Sequence, residues 1–396
     1  MAREVDPRFA QRMRGLMERR GTSFRALAGR TFYAKSYLHD LATGRKTPTP
    51  EAARRIDDAL HAGGELLELV GGALVDNGDS EMNAAELARR VAATDLGPET
   101  LDRLMLAIDD LAVAYATTPP EQLLPRVRRH LAYVARMLDG RKTLVQHRQL
   151  LVAGGWLALL AATVHIDLQQ ARAADLNLDT AREMADHAGH TEIGAWCLET
   201  RAWDVLTDGD YRSALDLSRQ AQAVAPRGSS AHVQATAQEG RAWARLGRPR
   251  ETRAALDRMA RLVAPLPVPD RPEHHYRYDP SKANAYTATT LAWVGDPAAE
   301  AYAREVVAEL ESAVDGVARP RRVASARVDL GLALLAAGKP DEAGAAALSA
   351  ITSGRIVPSN WWRVSEVVAG VEQTGVPEAT ELREVYLAYQ PSRPSV

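Results

Sequence analysis

The sequence predicts an all-α chain in two units, and three observations carry that reading. Ala, Leu, Arg and Glu dominate while only 3 Phe occur, a balance that favours helix over strand. The 396 residues exceed the roughly 250–300 at which a single hydrophobic core stops growing. Charge is also divided unevenly. Positions 1–60 hold 13 Lys and Arg against 7 Asp and Glu, a net of +6, which leaves −8 on the remainder of a chain whose overall charge is −2. A basic head on an acidic body is the pattern of a polyanion-binding module joined to one that does not bind polyanions; the plain alternative is a solvated basic face.

The head reads as a series of short helices. Phe9, Met13, Leu16 and Met17 recur at helical spacing over Pro7–Arg20, with arginines on the other face, and Gly21 ends that helix. Ser23 is placed to cap a second helix through Leu27-Ala28, and a turn follows near Arg30–Tyr33. A third helix over Ala34–Ala42 buries Leu38 and Leu41, turns Lys35, Ser36 and His39 outward, and stops at Gly44. The Thr47-Pro48-Thr49-Pro50 run breaks the chain before a fourth helix over Glu51–Leu60.

Leu27-Ala28, Ser36-Tyr37-Leu38, Leu41, Gly44-Arg45 and a proline before the fourth helix stand at the offsets of a known family. Over Phe9–Val70 the chain resembles the Xre-type, Cro/repressor-like helix-turn-helix regulators. The resemblance implies five helices, double-stranded DNA as partner, and a third helix that enters the major groove. On that helix Lys35, Ser36 and His39 are the candidates for base edges, because they share its exposed face and carry donors or acceptors. Arg25, Tyr37, Arg45 and Lys46 flank it where the DNA backbone would pass and are the candidates for phosphates. Each of the three base-edge candidates has the alternative of an ordinary solvated side chain. Two departures from the family pattern put the turn in question: Phe32 stands where a glycine is usual, and Ala34 where Ser or Thr caps the third helix. Phe32 and Tyr33 are read either as surface contacts for a thymine methyl or sugar, or as plugs of the core.

The domain division is 1–70 for the DNA-binding head, 71–82 for a Gly-rich, acidic linker, and 83–390 for a helical-repeat region. Helices are expected near Glu81–Thr94, Pro98–Ala116, Pro120–Leu138 and Leu144–His165. The apolar run Leu150–Ile166 falls short of a membrane span and reads as a buried helix. Beyond it an Ala-rich helix, a turn glycine and a second Ala-rich helix recur, with turns at Gly209, Gly247, Gly295 and Gly338. The spacing is looser than in regular tetratricopeptide repeats but fits divergent repeats stacked as an α-solenoid.

Pro265–Lys282 packs His274, His275, Tyr276, Tyr278 and Asp279 into six positions. The four His and Tyr residues are candidate ligand-binding residues; the competing reading is a proline-stiffened loop docked on the repeats, and metal ligation is disfavoured because adjacent side chains diverge. His165 and Asp167 read as a local capping arrangement. The Trp361-Trp362-Arg363 run reads as a seal on the last layer or an exposed contact. Cys197, the one cysteine, excludes an internal disulfide and reads as a buried, inert thiol.

As a whole the chain resembles actinobacterial Xre-type regulators with a tetratricopeptide-like C-terminal domain, and more distantly the peptide-responsive quorum-sensing regulators. The further stretches that carry this are Glu86–Asp95, Pro119–Arg141 and Tyr278–Val306. It implies a homodimer and a peptide, protein or small-molecule effector on the repeats; the single cysteine and the amino-terminal charges point to the cytoplasm, and no cofactor, metal or membrane is expected. The other reading is an interaction scaffold with weak, nonspecific DNA binding. No phosphate-cradling Gly loop, His-Glu-x-x-His helix or nucleophile elbow speaks for an enzyme. The amino-terminal 20 residues lack the apolar stretch of a signal peptide.

Overall fold

The computed structural model describes residues 7–71, 97–312 and 319–390, and the chain divides into two compact units, Met1–Leu87 and Ala88–Val396. The described residues form helices and connecting turns, with no strand.

The first unit contains α1 (Pro7–Arg19), α2 (Phe24–Thr31), α3 (Lys35–Ala42), α4 (Pro50–Ala59) and α5 (Glu65–Gly71). Its core is drawn from all five: Phe9 and Met13, Leu27, Leu38 and Leu41, Ile56, and Leu66 are each buried. Ser23 caps α2 by accepting the Ala26 N–H at 3.2 Å, and Thr49 caps α4 by accepting that of Ala52 at 3.1 Å. The amino end of α5 is capped from outside its own segment. The buried carboxylate of Asp57 on α4 accepts the N–H groups of Gly64 and Leu66, each at 2.7 Å. That satisfies donors which a helix start otherwise leaves unpaired.

In the second unit α6 (Pro98–Ala114), α7 (Pro120–Asp139) and α8 (Leu144–Asp167) lead into α9 (Ala171–Ala188). There follow α10 (Thr191–Thr207), α11 (Tyr211–Val224), α12 (Ser230–Arg245), α13 (Pro249–Val263), α14 (Lys282–Trp293) and α15 (Ala299–Ser312). The series closes with α16 (Pro320–Ala336), α17 (Pro340–Thr352), α18 (Trp361–Thr374) and α19 (Ala379–Tyr389). The expected linker beyond Gly71, the helix at Glu81–Thr94 and the stretch Glu86–Asp95 lie outside the described residues.

From α8 onward the helices pair through one recurring turn. The residue ending the turn takes a left-handed backbone at Gln169 (φ 57°), Gly209 (89°), Gly247 (67°), Gly295 (67°) and Gly338 (72°). At all five the next N–H then donates to the carbonyl five residues back, at 2.9–3.0 Å, closing the helix end. The four glycines expected from the sequence are thus turn residues, and the α8–α9 pair joins the series with glutamine in glycine's place. A last pair, α18–α19, turns at Gly375 (φ 72°). Second helices bury alanine at a helical interval, as with Ala214 and Ala221 of α11 or Ala343, Ala347 and Ala350 of α17, so neighbours approach closely.

The helix α8 is long and apolar enough to cross a membrane, yet 83 % of its most apolar window is buried inside the helical unit, where it packs as a core helix. One expectation at its end needs correction. His165 does make a local bond, from Nδ1 to Gln170 at 2.7 Å, but Asp167 is no local cap: its carboxylate is held by side chains far along the chain, because the C-terminal end of α8 is enclosed by later repeats. Trp361 packs on Tyr386 of α19, ring centroids 5.8 Å apart, and so seals the last pair. Cys197 is buried, and burial pushes its thiol up to about 12, which makes it a poor nucleophile.

Candidate nucleic-acid interface and ligand cavity

In the first unit α2 and α3 are joined by a turn of three residues, Phe32 to Ala34. Phe32 adopts the left-handed conformation (φ 60°, ψ 19°), and its N–H bonds the Ala28 carbonyl at 3.0 Å. The turn that glycine normally makes is therefore formed by phenylalanine, and the ring is 88 % exposed rather than plugging the core. Tyr33 divides the two roles: half-buried, it packs on the core edge, with its ring 5.2 Å from that of Tyr37 and under the guanidinium of Arg55. Ala34 provides no side-chain cap for α3, as its sequence implies.

The helix α3 has two distinct faces. Leu38, Leu41 and Ala42 are fully buried, which fixes its rotation, and Lys35, Ser36 and His39 are exposed on the other side. The His39 ring is steadied by an edge contact with Phe24 of α2, centroids 5.5 Å apart. Past the end of α3 the N–H groups of Arg45 and Lys46 both reach the Asp40 carbonyl, at 2.8 and 3.2 Å, and set these two exposed cations beside the helix. Lys46 also pairs with the Asp40 carboxylate at 3.7 Å and lies over the Tyr37 ring. Tyr37 is half-buried, and burial raises its phenol above the ordinary value, so it is a hydroxyl donor. Arg25, the second residue of α2, is exposed. The result is an outward helix flanked by cations: exposed donors on a fixed scaffold, suited to polar groups on a polyanion.

In the second unit a cavity of about 300 Å³ is lined by the first helices of consecutive pairs, α10, α12, α14, α16 and α18, and closed on one side by the loop before α14. Of the four loop residues expected to bind a ligand, His275 and Tyr278 line it. His274 and Tyr276 do not. His274 bonds Asp109 of α6 through Nε2 at 3.1 Å and accepts the Tyr276 N–H through Nδ1 at 3.2 Å, so both ring nitrogens are occupied. Tyr276 is buried between Trp156 and Trp196, ring centroids 5.0 and 5.3 Å away. The loop is therefore docked largely as a structural plug, further tied by Arg277 to Asp109 at 2.8 Å. Among the described residues no His, Cys, Asp or Glu group is arranged to hold a metal.

Reading the sequence did not single out the charged residues of this cavity. Glu199 on α10 hydrogen-bonds Gln234 at 3.1 Å, and burial raises its carboxyl to about 7. Burial lowers Lys282 to about 8 and Arg241 to about 10. It also holds His275 well below its ordinary value, so that imidazole is neutral. A signal for these residues does exist: Gln234, Gln238 and Arg241 recur at i, i+4 and i+7 within an Ala-rich helix, as do Arg322, Ser325 and Asp329 at a similar interval, placing a polar stripe where a packed helix needs an apolar one.

Set beside known proteins, residues 8–70 match the family model of a helix-turn-helix domain. No curated protein matches the chain. The first unit is accordingly a DNA-binding helix-turn-helix domain, followed by a region of repeated helix pairs, and at that level the chain is a DNA-binding regulator.

Proposed function

We propose that the protein is a sequence-specific transcription regulator of the Xre type, acting as a homodimer, whose helical pairs form a tetratricopeptide-like domain that responds to an effector. The observation that carries this is the two-faced α3: Leu38 and Leu41 at 0 % exposure lock it in place while Lys35, Ser36 and His39 project outward. In this reading α3 enters the major groove, those three residues read base edges, and Arg25, Tyr37, Arg45 and Lys46 hold phosphates. Two such heads address half-sites one helical turn, roughly 34 Å, apart on a pseudo-palindrome. The protein acts where the DNA is, in the cytoplasm, and supplies no catalysis.

Selection of genomic fragments by the purified protein tests this. The expected result is an inverted-repeat consensus bound at nanomolar concentration at physiological salt. Binding that is blind to sequence and collapses as salt rises would instead indicate an interaction scaffold with a merely basic head.

A further inference from the structure

The cavity of the second unit brings several cations and hydrogen-bond donors to one space. Four lining residues keep a buried N–H without a partner among the described residues: Trp196 Nε1, Gln238 Nε2, Arg241 Nε and Arg363 Nε. All four are donors. Buried polar groups are almost always satisfied in native proteins. These four lie on the walls formed by α10, α12 and α18, around Arg241.

Charge points the same way. Most lining cations are already matched: Arg321 by Asp167 at 3.0 Å, Arg322 by Glu273 at 2.8 Å, Arg277 by Asp109 at 2.8 Å, and Arg363 by Asp329. Two are not. Arg241 is 7 % exposed, yet its guanidinium has only the Gln238 amide oxygen, at 3.1 Å, and the faces of the Tyr286 and Trp293 rings. Among the described residues the Lys282 ammonium has no hydrogen bond and no ion pair. Asp329 and Glu199 act on Arg241 only through space: Asp329 is bonded to Arg363, and Glu199, raised to about 7, is only partly ionised at neutral pH. An unpaired buried cation is costly, and an anion seated beside it removes the cost.

Size and lining fix the rest. A volume of about 300 Å³ lies at the small end of ligand pockets and corresponds to roughly ten water molecules, enough for a compound of about ten to twenty non-hydrogen atoms. The rings of Trp196, Trp203, His275, Tyr278 and Tyr286 offer flat apolar walls beside the donors. We propose that this cavity binds a small organic acid, its carboxylate held by Arg241 and Lys282, its planar body against the aromatic walls. A cation meets the wrong charge. That occupancy alters DNA binding rests on the regulator reading; the binding itself does not.

The test uses the full chain and titration calorimetry with indole-3-acetate, 1-naphthoate and 4-phenylbutyrate, each beside its neutral primary amide, with inorganic phosphate as a bare oxyanion. The expected result is that at least one acid binds about tenfold or more tightly than its amide, that Arg241→Gln and Lys282→Gln each weaken that acid by about tenfold or more, and that phosphate does not compete. Failure of all three acids to bind at about 10 mM, equal binding of acids and amides, or unaltered acid binding by both variants overturns the proposal. Competition by phosphate as effective as by the acids overturns the organic body in favour of an inorganic oxyanion. The acid-against-amide contrast is read on the unaltered protein, so it decides even where a variant does not fold. Operator selection is measured separately: intact operator binding without acid binding sinks this proposal alone, and the reverse sinks the regulator reading alone.

Discussion

Asp167, the last residue of α8, accepts a hydrogen bond from Arg321, 154 positions later on α16, at 3.0 Å. The same fully buried carboxylate accepts from Tyr115 after α6 at 2.8 Å and from Ser359 before α18 at 2.6 Å. Arg321 in turn lies over the Tyr115 ring, 4.7 Å from its centroid, and donates to the Tyr115 carbonyl. One side chain thus ties the end of α8 to the turn after α6, to α16 and to the turn before α18. Stability there is not only a sum of contacts between neighbouring pairs, the usual case for a repeat array.

Removing that carboxylate strands a buried guanidinium. Asp167→Ala is expected to destabilise the protein by about 3–5 kcal/mol, because the partner charge stays buried without compensation. Asp167→Asn keeps a hydrogen-bond acceptor and is expected to lose less. Urea unfolding followed by far-ultraviolet circular dichroism measures both. A loss below about 1 kcal/mol for the alanine variant would show the network to be incidental.

Phe32 separates stability from function. A left-handed backbone costs an ordinary residue roughly 1–2 kcal/mol, while glycine adopts it freely but pays in the unfolded chain. The ring is almost wholly exposed, so little packing is lost. Phe32→Gly is therefore expected to stabilise the first unit by about 0.5–1 kcal/mol, read as slower hydrogen exchange of the Leu38 amide, which bonds Ala34 O at 3.1 Å. If the exposed ring touches a thymine methyl or sugar, DNA affinity falls in the same variant. Faster exchange would mean that the ring supports the turn.

How far the sequence could be read follows from where its signals are local. Ser23 marks a helix start with its side chain and Gly44 a helix end with its backbone, so α2 and α3 were legible, down to the buried face of α3, whereas the Thr49 cap and α5, capped by Asp57 from α4, were not. The four glycine turns were legible for the same reason. The α8–α9 pair was not, because Gln169 takes the left-handed turn that glycine announces elsewhere, and composition cannot reveal a strained conformation imposed by packing. The cavity was hidden more deeply: Glu199, Arg241 and Lys282 lie on three different helices, and only the stacking of pairs brings them to one space. The loop misled for the converse reason, since its conspicuous His274 and Tyr276 serve to anchor it.

Glu199 gives the cavity a pH signature. Burial raises its folded-state pKa to about 7 from an ordinary 4.5, so the fold favours the protonated form. Its stabilising contribution is fully present below about pH 4.5 and is lost as pH rises from there through about 7, where the folded carboxyl ionises as well. The span corresponds to about 3 kcal/mol. Glu199→Gln is expected to be more stable than the unaltered protein at pH 8 and to gain little at pH 4.5. Asp204, raised to about 6 in the same helix, is present in both proteins and cancels in the difference. Urea midpoints that shift in parallel at all pH values would sink the assignment.

The division of labour on α3 yields the last prediction. Lys35 and Ser36 project from the exposed face, one turn from the buried Leu38, whereas Arg45 lies beyond the helix end with its N–H bonded to Asp40 O. A side chain in the groove discriminates among bases; one beside the helix meets a phosphate that every sequence shares. Lys35→Ala and Ser36→Ala are therefore expected to lower operator affinity while leaving scrambled DNA nearly unaffected, reducing specificity by about 1–3 kcal/mol at the position read. Arg45→Ala is expected to weaken both DNAs alike and to reduce the slope of log affinity against log salt by about one. Fluorescence anisotropy with operator and scrambled duplexes at several salt concentrations separates the two effects. An unchanged ratio of operator to scrambled affinity in the Lys35 and Ser36 variants would mean that α3 does not read bases through these side chains.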